Sequence, residues 1–290
     1  MPSTLDIRRR IRSVKSTRQI TRAMELVSAA KMRKAQNQAL ATRTYSQLAW
    51  ELLQNAALKS DTRIHRLLRA PAKTASTAII LMTSNRGLIG AFNNNIIEAG
   101  LRFAKQIDSN HISFITMGKK GRDAVKNRGY EIVADFEKLD SAADVAEIYP
   151  LSKLVTDEFI AEKFDKVVLV YMQYVTTLVQ KPKIQEILPL RPIKANEPDM
   201  EDESSYLFEP TPDQVLEVLL PRLTTMQIYQ ALLETNASEH SARMVAMKNA
   251  SDAALDLVNE LTLEYNQIRQ AAITKEISEI VSGRLAIQES

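Results

Sequence analysis

Between Pro221 and Gly283 the chain runs 61 residues without a glycine or a proline, in a sequence that holds 10 Pro and 7 Gly. Those two residue types are the strongest local interrupters of a helix. Nothing in the stretch Arg222–Ser282 therefore stops one. As a single α-helix at ~1.5 Å per residue it reaches about 90 Å, several times the mean helix of a globular domain. A helix that long outruns any compact core and needs a second helix to lie against. A heptad fits the stretch. One seam position holds Met226, Leu233, His240, Met247, Ala254, Leu261, Ile268 and Lys275, and the other holds Gln230, Ala237, Met244, Ser251, Val258, Tyr265 and Ala272. Eleven of these 15 positions are apolar, and a sustained period of 3.5 specifies a left-handed coiled coil. Gln230, His240, Ser251 and Lys275 interrupt the apolar seam, and polar residues at such positions commonly set register.

The obvious partner lies at the other end of the chain. Ser3 to Ala70 also lacks Gly and Pro and predicts a helix from about Leu5 to about Leu58. Asp6 falls in the first turn, where a carboxylate favours the helix dipole. Ile7, Ile11, Val14, Ile20, Met24 and Val27 are spaced by threes and fours with one longer gap, and Ala29, Ala30, Ala35, Ala39 and Ala41 follow. Small residues let two helices approach closely. The expectation is an antiparallel rod of two helices, with the C-terminal one longer. The charge is uneven: residues 1–70 hold 15 Lys and Arg against 4 Asp and Glu, while residues 195–217 hold 8 Asp and Glu and no Lys or Arg. The cationic face (Arg8, Arg9, Arg10, Arg12, Lys15, Arg18, Arg22, Lys31, Arg33, Lys34) reads either as a solvated helix face or as one that meets acidic protein surfaces or phosphates. A nucleic-acid-binding coiled coil is a rival on charge alone, and it lacks any base-reading motif.

Between the helices the pattern changes. Thr77–Met82, His111–Met117, Tyr130–Ala134 and Lys166–Val175 predict strands, with Leu178–Leu188 returning as a hairpin partner to the last. Helical stretches fall near Phe92–Gln106, Arg122–Asn127 and Ala142–Ala161, the last despite Pro150. Strands alternating with helices predict a small, mostly parallel α/β domain. The division is residues 1–70 for the first helix, 71–193 for a Rossmann-like α/β domain, 194–214 for an acidic loop, and 215–290 for the second helix. The turn Ser84-Asn-Arg-Gly-Leu-Ile-Gly90 follows a strand and precedes a helix, where glycine-rich turns cradle phosphates. Its two glycines do not make a G-x-G-x-x-G, and no G-x-x-x-x-G-K-[ST] occurs in the chain. The chain has no cysteine and only three His, far apart, which excludes thiolate chemistry and argues against a metal cluster. No apolar run approaches the ~20 residues that cross a bilayer. The Arg-rich start imitates a mitochondrial transit peptide, but the helical pattern runs on past such a segment. Within the acidic loop, Tyr206-Leu-Phe208 is an apolar triplet that reads as a contact surface or as the pin holding the loop to its domain.

Three segments together resemble the gamma subunit of F-type ATP synthases. They are Ile7-Arg-Arg-Arg-Ile-Arg-Ser-Val-Lys-Ser-Thr-Arg-Gln-Ile-Thr-Arg-Ala-Met-Glu-Leu-Val-Ser-Ala-Ala-Lys-Met-Arg-Lys34, then Ser84-Asn-Arg-Gly-Leu-Ile-Gly-Ala-Phe-Asn93, then Ala237-Ser-Glu-His-Ser-Ala-Arg-Met-Val-Ala-Met-Lys-Asn-Ala250 with Ile273-Thr-Lys-Glu-Ile-Ser-Glu-Ile-Val-Ser-Gly283. They stand in the family's order and span essentially the whole chain. The resemblance implies a non-catalytic rotor shaft with no cofactor, one copy per hetero-oligomeric complex. Its partners would be the alpha and beta subunits, the epsilon subunit and the c-ring subunits, with no nucleic acid and no membrane contact except through the c ring. It would sit at the cytoplasmic face of a bacterial plasma membrane. Carried over by motif, Met24, Arg243, Arg269, Gln270, Thr274 and Glu276 would meet beta subunits and transmit torque. Tyr206, Leu207, Phe208 and Glu209 would meet the c ring and epsilon. Arg284 stands where the family usually has Ala.

Overall fold

The computed structural model of the chain describes residues 4–59, 65–69, 75–107, 109, 111–138, 144–190, 209 and 211–288. In chain order the elements are α1 (Thr4–Lys59), β1 (Ser76–Met82), α2 (Phe92–Gln106), β2 (His111–Met117), α3 (Lys119–Lys126), β3 (Glu131–Phe136), α4 (Val145–Ile160), β4 (Lys166–Tyr174), β5 (Gln180–Leu188) and α5 (Pro212–Gln288). They divide into two units, Ala29–Arg243 and Met1–Ser28 with Met244–Ser290.

The larger unit is built on a five-stranded sheet in the order β3-β2-β1-β4-β5. The first four strands are parallel and β5 runs antiparallel to β4. β1 and β4 are almost wholly buried, as central strands covered on both faces must be. Alternation divides their side chains between two cores. Ala78, Ile80 and Met82 of β1 join Val167, Leu169 and Tyr171 of β4 with α4 and the start of α5. Ile79 and Leu81 join Val170, Met172, Phe114 and the apolar faces of α2 and α3 on the other side. The edges are polar: β3 alternates exposed and half-buried residues, and β5 carries exposed Lys181 and Pro182. A lysine and a proline both blunt an edge against further pairing. α4 buries Ile148, Leu151, Ser152, Val155, Thr156 and Phe159, a spacing of threes and fours, and starts at Asp144, whose carboxylate accepts from the Ala146 N–H at 3.3 Å. Its small Ser152 meets Thr225 of α5 at 2.6 Å.

α5 is longer than the Pro-free and Gly-free stretch predicts. It begins at Pro212, a favourable first-turn position for proline, and continues through both Pro221 and Gly283. Pro221 forfeits one backbone hydrogen bond. The buried Leu216, Leu220 and Leu223 around it hold the helix to the core regardless. From Ala231 to Ser241 α5 is buried nearly all round. In this unit Thr42 of α1 donates to Gln230 of α5 at 2.9 Å, and Lys31 lies close enough to His240 for its charge to act on it. As α1 rises from 31 to 42, α5 falls from 240 to 230, so the pair is antiparallel.

The smaller unit is the two-helix pair alone. Arg8 reaches Tyr265, its guanidinium bonding the hydroxyl at 3.2 Å and standing 5.7 Å from the ring centre. Met247, Ser251, Ala254, Val258 and Leu261 are buried on α5, the seam positions of the heptad. On α1 the contact line differs from the apolar spacing in the sequence. It passes through Ile7, Val14, Thr21 and Ser28, and Ile20 and Val27 are left 59% and 56% exposed. Thr21 and Ser28 can enter the seam because their hydroxyls return to backbone carbonyls, Thr21 to Arg18 at 3.0 Å and Ser28 to Met24 at 2.7 Å. The same seven-residue step continues along α1 to Ala35 and Thr42.

Candidate functional site

In an open parallel sheet the ligand crevice lies beyond the carboxyl ends of the strands, where the chain reverses its order. Here that point falls between β1 and β4. After β1 the turn Thr83–Gly90 folds back on itself. Thr83 donates to the Gly118 carbonyl at 3.1 Å and accepts from the Gly121 N–H at 2.8 Å, seating the start of α3. Gly118 has φ +100°, and a Cβ there would lie 2.4 Å from the Thr83 carbonyl oxygen, so only glycine fits. Ser84 donates to the Arg86 carbonyl at 2.6 Å and bonds Asn93 at the start of α2. Asn85 accepts from the Lys119 N–H at 3.2 Å and donates to the Lys138 carbonyl. The polar groups of this motif are thus directed at the protein's own backbone.

The crevice itself is filled by α5. Ser238 donates to the Met172 carbonyl at the end of β4 at 3.1 Å, and Ser241 to the Thr177 carbonyl in the following turn at 2.6 Å. Between them Glu239 turns to Lys138, and both side chains are 2% exposed. The second Glu239 oxygen accepts from Arg243 at 2.6 Å, and Arg243 also bonds His240 Nδ1 at 3.3 Å. Burial pushes the Glu239 carboxyl up, but the Lys138 and Arg243 cations outweigh it and hold it at about 2. His240 is lowered to about 4, by burial first, with the attraction of Glu239 opposing the shift and the Lys138, Arg243 and Lys31 cations adding to it. A carboxylate answered by two cations is the arrangement under which a buried charge is tolerated.

The residues carried over by motif fall into four places. Arg243 belongs to this buried network, with its side chain 13% exposed. Met24 is half-buried on α1. Arg269, Gln270, Thr274 and Glu276 stand exposed on α5, in a run from Arg269 to Ser282 in which every residue is exposed, Ile273, Ile277, Ile280 and Val281 included. Arg284 is exposed as well. Glu209 is exposed, and Tyr206, Leu207 and Phe208 lie outside the described residues. Sequence reasoning missed Asn85, Lys138 and Glu239. A signal did exist: from Leu223 to Ala242 the helix carries Glu234 and Glu239 with no Lys or Arg among them, so the cations that answer a carboxylate buried there come from the residue just beyond, Arg243, or from another element. Among the described residues no group of His, Asp and Glu could hold a metal ion. No helix among them is long and apolar enough to cross a membrane.

Residues 3–287 match the family model described as ATP synthase. The chain is 44% identical over 292 residues to an ATP synthase gamma chain of Roseiflexus, covering all of both chains. It is 44% identical over 293 residues to that of Pelotomaculum thermopropionicum, covering 99% of this chain and all of the relative. Among solved structures it resembles a chain of the Euglena gracilis mitochondrial ATP synthase OSCP/F1/c-ring assembly, with a TM-score of 0.67 at 20% identity, over 98% of this chain and 94% of that one. It also resembles a chain of the Tetrahymena thermophila central stalk and c ring, with a TM-score of 0.61 at 21% identity, over 80% of this chain and 99% of that one.

Proposed function

The chain belongs to the ATP synthase gamma chain family, and we infer that it is the central rotor shaft of such an enzyme, itself non-catalytic. It assembles with the F1 catalytic subunits and the c ring. In the finer reading its partners are the alpha, beta, epsilon and c subunits. One copy serves each complex, held peripherally through the c ring at the cytoplasmic face of a bacterial plasma membrane.

The observation that carries this reading is the exposed end of α5. A helix whose residues 269–282 are exposed on every side, with isoleucines among its charges, is built to be surrounded by other chains. Identical catalytic sites in a ring differ only if something asymmetric touches them. A two-helix rod supplies that asymmetry, and each partial turn permutes the contacts. Two packed helices resist bending and twisting better than one. Arg269, Gln270, Thr274 and Glu276 on the exposed end of α5, with Met24 of α1 and Arg243 of α5, are the proposed points of contact with beta subunits. Glu209, with Tyr206, Leu207 and Phe208, is the proposed contact with the c ring and epsilon. Exposed ion pairs contribute only ~0–1 kcal/mol each, so torque is shared over several contacts.

The test is co-expression with the alpha and beta subunits. The expected result is a stable complex whose sustained ATPase activity requires this chain. A complex equally active without it would overturn the reading. Within that complex, Met24→Lys is expected to lower the number of protons pumped per ATP hydrolysed, and an unchanged ratio would remove Met24 from the contact set.

A further inference from the structure

A shaft transmits torque only if it cannot turn within the domain that grips it. α5 passes the carboxyl end of the sheet over the few residues Ser238–Arg243, and three directional contacts are concentrated there. Ser238 bonds the Met172 carbonyl, Ser241 bonds the Thr177 carbonyl, and Glu239 bonds Lys138. At ~100° per residue, positions 238, 239 and 241 spread over about 160° of the helix circumference. Rotation of α5 about its own axis in either direction therefore stretches at least one of them. Apolar packing lower on the helix, through Leu220, Leu223 and Leu232, is not directional and resists such rotation less. Lys138 is anchored in turn: its carbonyl accepts from Asn85, and Asn85 also holds the start of α3. The chain of bonds runs from the turns after β1 and β3 to the helix.

We propose that Ser238, Glu239 and Ser241 of α5, with Lys138 and the Asn85 turn of the sheet, form a rotational lock that fixes the shaft to the α/β domain. The lock converts the crevice where other open sheets bind a ligand into a mechanical joint. Glu239 is a positioning residue on two counts: it holds α5 to Lys138, and its other oxygen orients the Arg243 guanidinium. The inference rests on the rotor reading above.

The experiment uses the assembled complex, with its catalytic ring fixed to a surface and a probe attached to the α/β domain. Its readout is the angular spread of the probe within each dwell. The joint substitution Lys138→Met with Glu239→Leu removes the Lys138–Glu239 pair while keeping volume, a replacement that buried pairs commonly tolerate without loss of stability, although Arg243, 13% exposed, loses its carboxylate partner. It is expected to broaden the angular variance by about twofold or more, since directional contacts give way to sliding ones. The pair Ser238→Ala with Ser241→Ala is expected to broaden it to a lesser degree without leaving a charge behind, and keeps the test open if the first variant fails to assemble. Because the chain has no cysteine, Thr177→Cys with Ser241→Cys can be cross-linked selectively in the Lys138→Met, Glu239→Leu background, and the spread should narrow again. An unchanged variance in both variants overturns the lock, as does a broadening that the cross-link does not reverse. If the unaltered chain fails to assemble or turn, the rotor reading itself is at fault, which separates the two failures.

Discussion

Glu239 carries its charge in a place where water does not reach it, so its neighbours decide its worth. Glu239→Gln leaves Lys138 buried with no counter-charge, and such a break costs about 3–5 kcal/mol, which urea unfolding of the chain measures directly. His240 beside it gives the same region a pH dependence. Its folded pKa, about 4, lies below the ordinary value of 6.5, so between those values the unfolded chain binds more protons than the folded one. Stability is full above pH 6.5 and falls as pH drops towards 4, by up to about 3 kcal/mol from this group. Glu239, lowered from 4.5 to about 2, extends the loss over the more acid range, since its contribution is present above pH 4.5 and disappears as pH falls through 2. Unfolding curves at stepped pH should show both segments, and His240→Gln should flatten the upper one while leaving the lower. A profile unchanged by that substitution would remove His240 as the source. Gly118 is the strictest position in the backbone, with its left-handed φ and its approach to the Thr83 carbonyl. Gly118→Ala should cost more than about 1 kcal/mol, read as a lowered urea midpoint.

At the scale of the element, the two long helices show what periodicity reveals and what it misses. The seam of α5 was legible as far as Leu261: Leu233, Ala237, Met247, Ala254, Val258 and Leu261 are buried where the heptad places them, whereas Ala272 and Lys275, assigned to the same seam, are exposed. Its bounds were not, because a proline and a glycine that would end an isolated helix are overruled where a core holds the segment. On α1 the contact line could not be read from hydrophobicity, because Thr21 and Ser28 occupy it and Ile20 and Val27 do not. Small residues win there because close approach of two backbones needs short side chains, and a hydroxyl that bonds its own helix is no longer a polar cost. A substitution pair separates seam from surface. Ile7→Ala removes a fully buried side chain and should cost about 2–5 kcal/mol. Ile277→Ala, at 56% exposure, should stay within about 0.5 kcal/mol by the same unfolding measurement, while weakening assembly with the catalytic ring.

For the molecule as a whole, stability and function are carried by different stretches of α5. Among the residues whose burial is described, those that ending the chain after Ile268 removes are all exposed. The urea midpoint of the shortened chain should match that of the full one. The ATPase rate of its complex with alpha and beta subunits should fall, and an undiminished rate would take the torque contact away from Arg269, Gln270, Thr274 and Glu276. The sequence by itself determined the extent of α1, the central part of the α5 heptad, the alternation of strand and helix between them, and through three motifs the family. Each of these follows from residues near one another in the chain, where local geometry makes spacing equivalent to placement. The tertiary structure alone decided that Lys138 meets Glu239 across 101 positions, that the Asn85 turn braces that meeting, and that α5 fills the crevice at the end of the sheet. Those outcomes depend on how distant elements stack, and a buried charge can be located only once the surface that buries it is known.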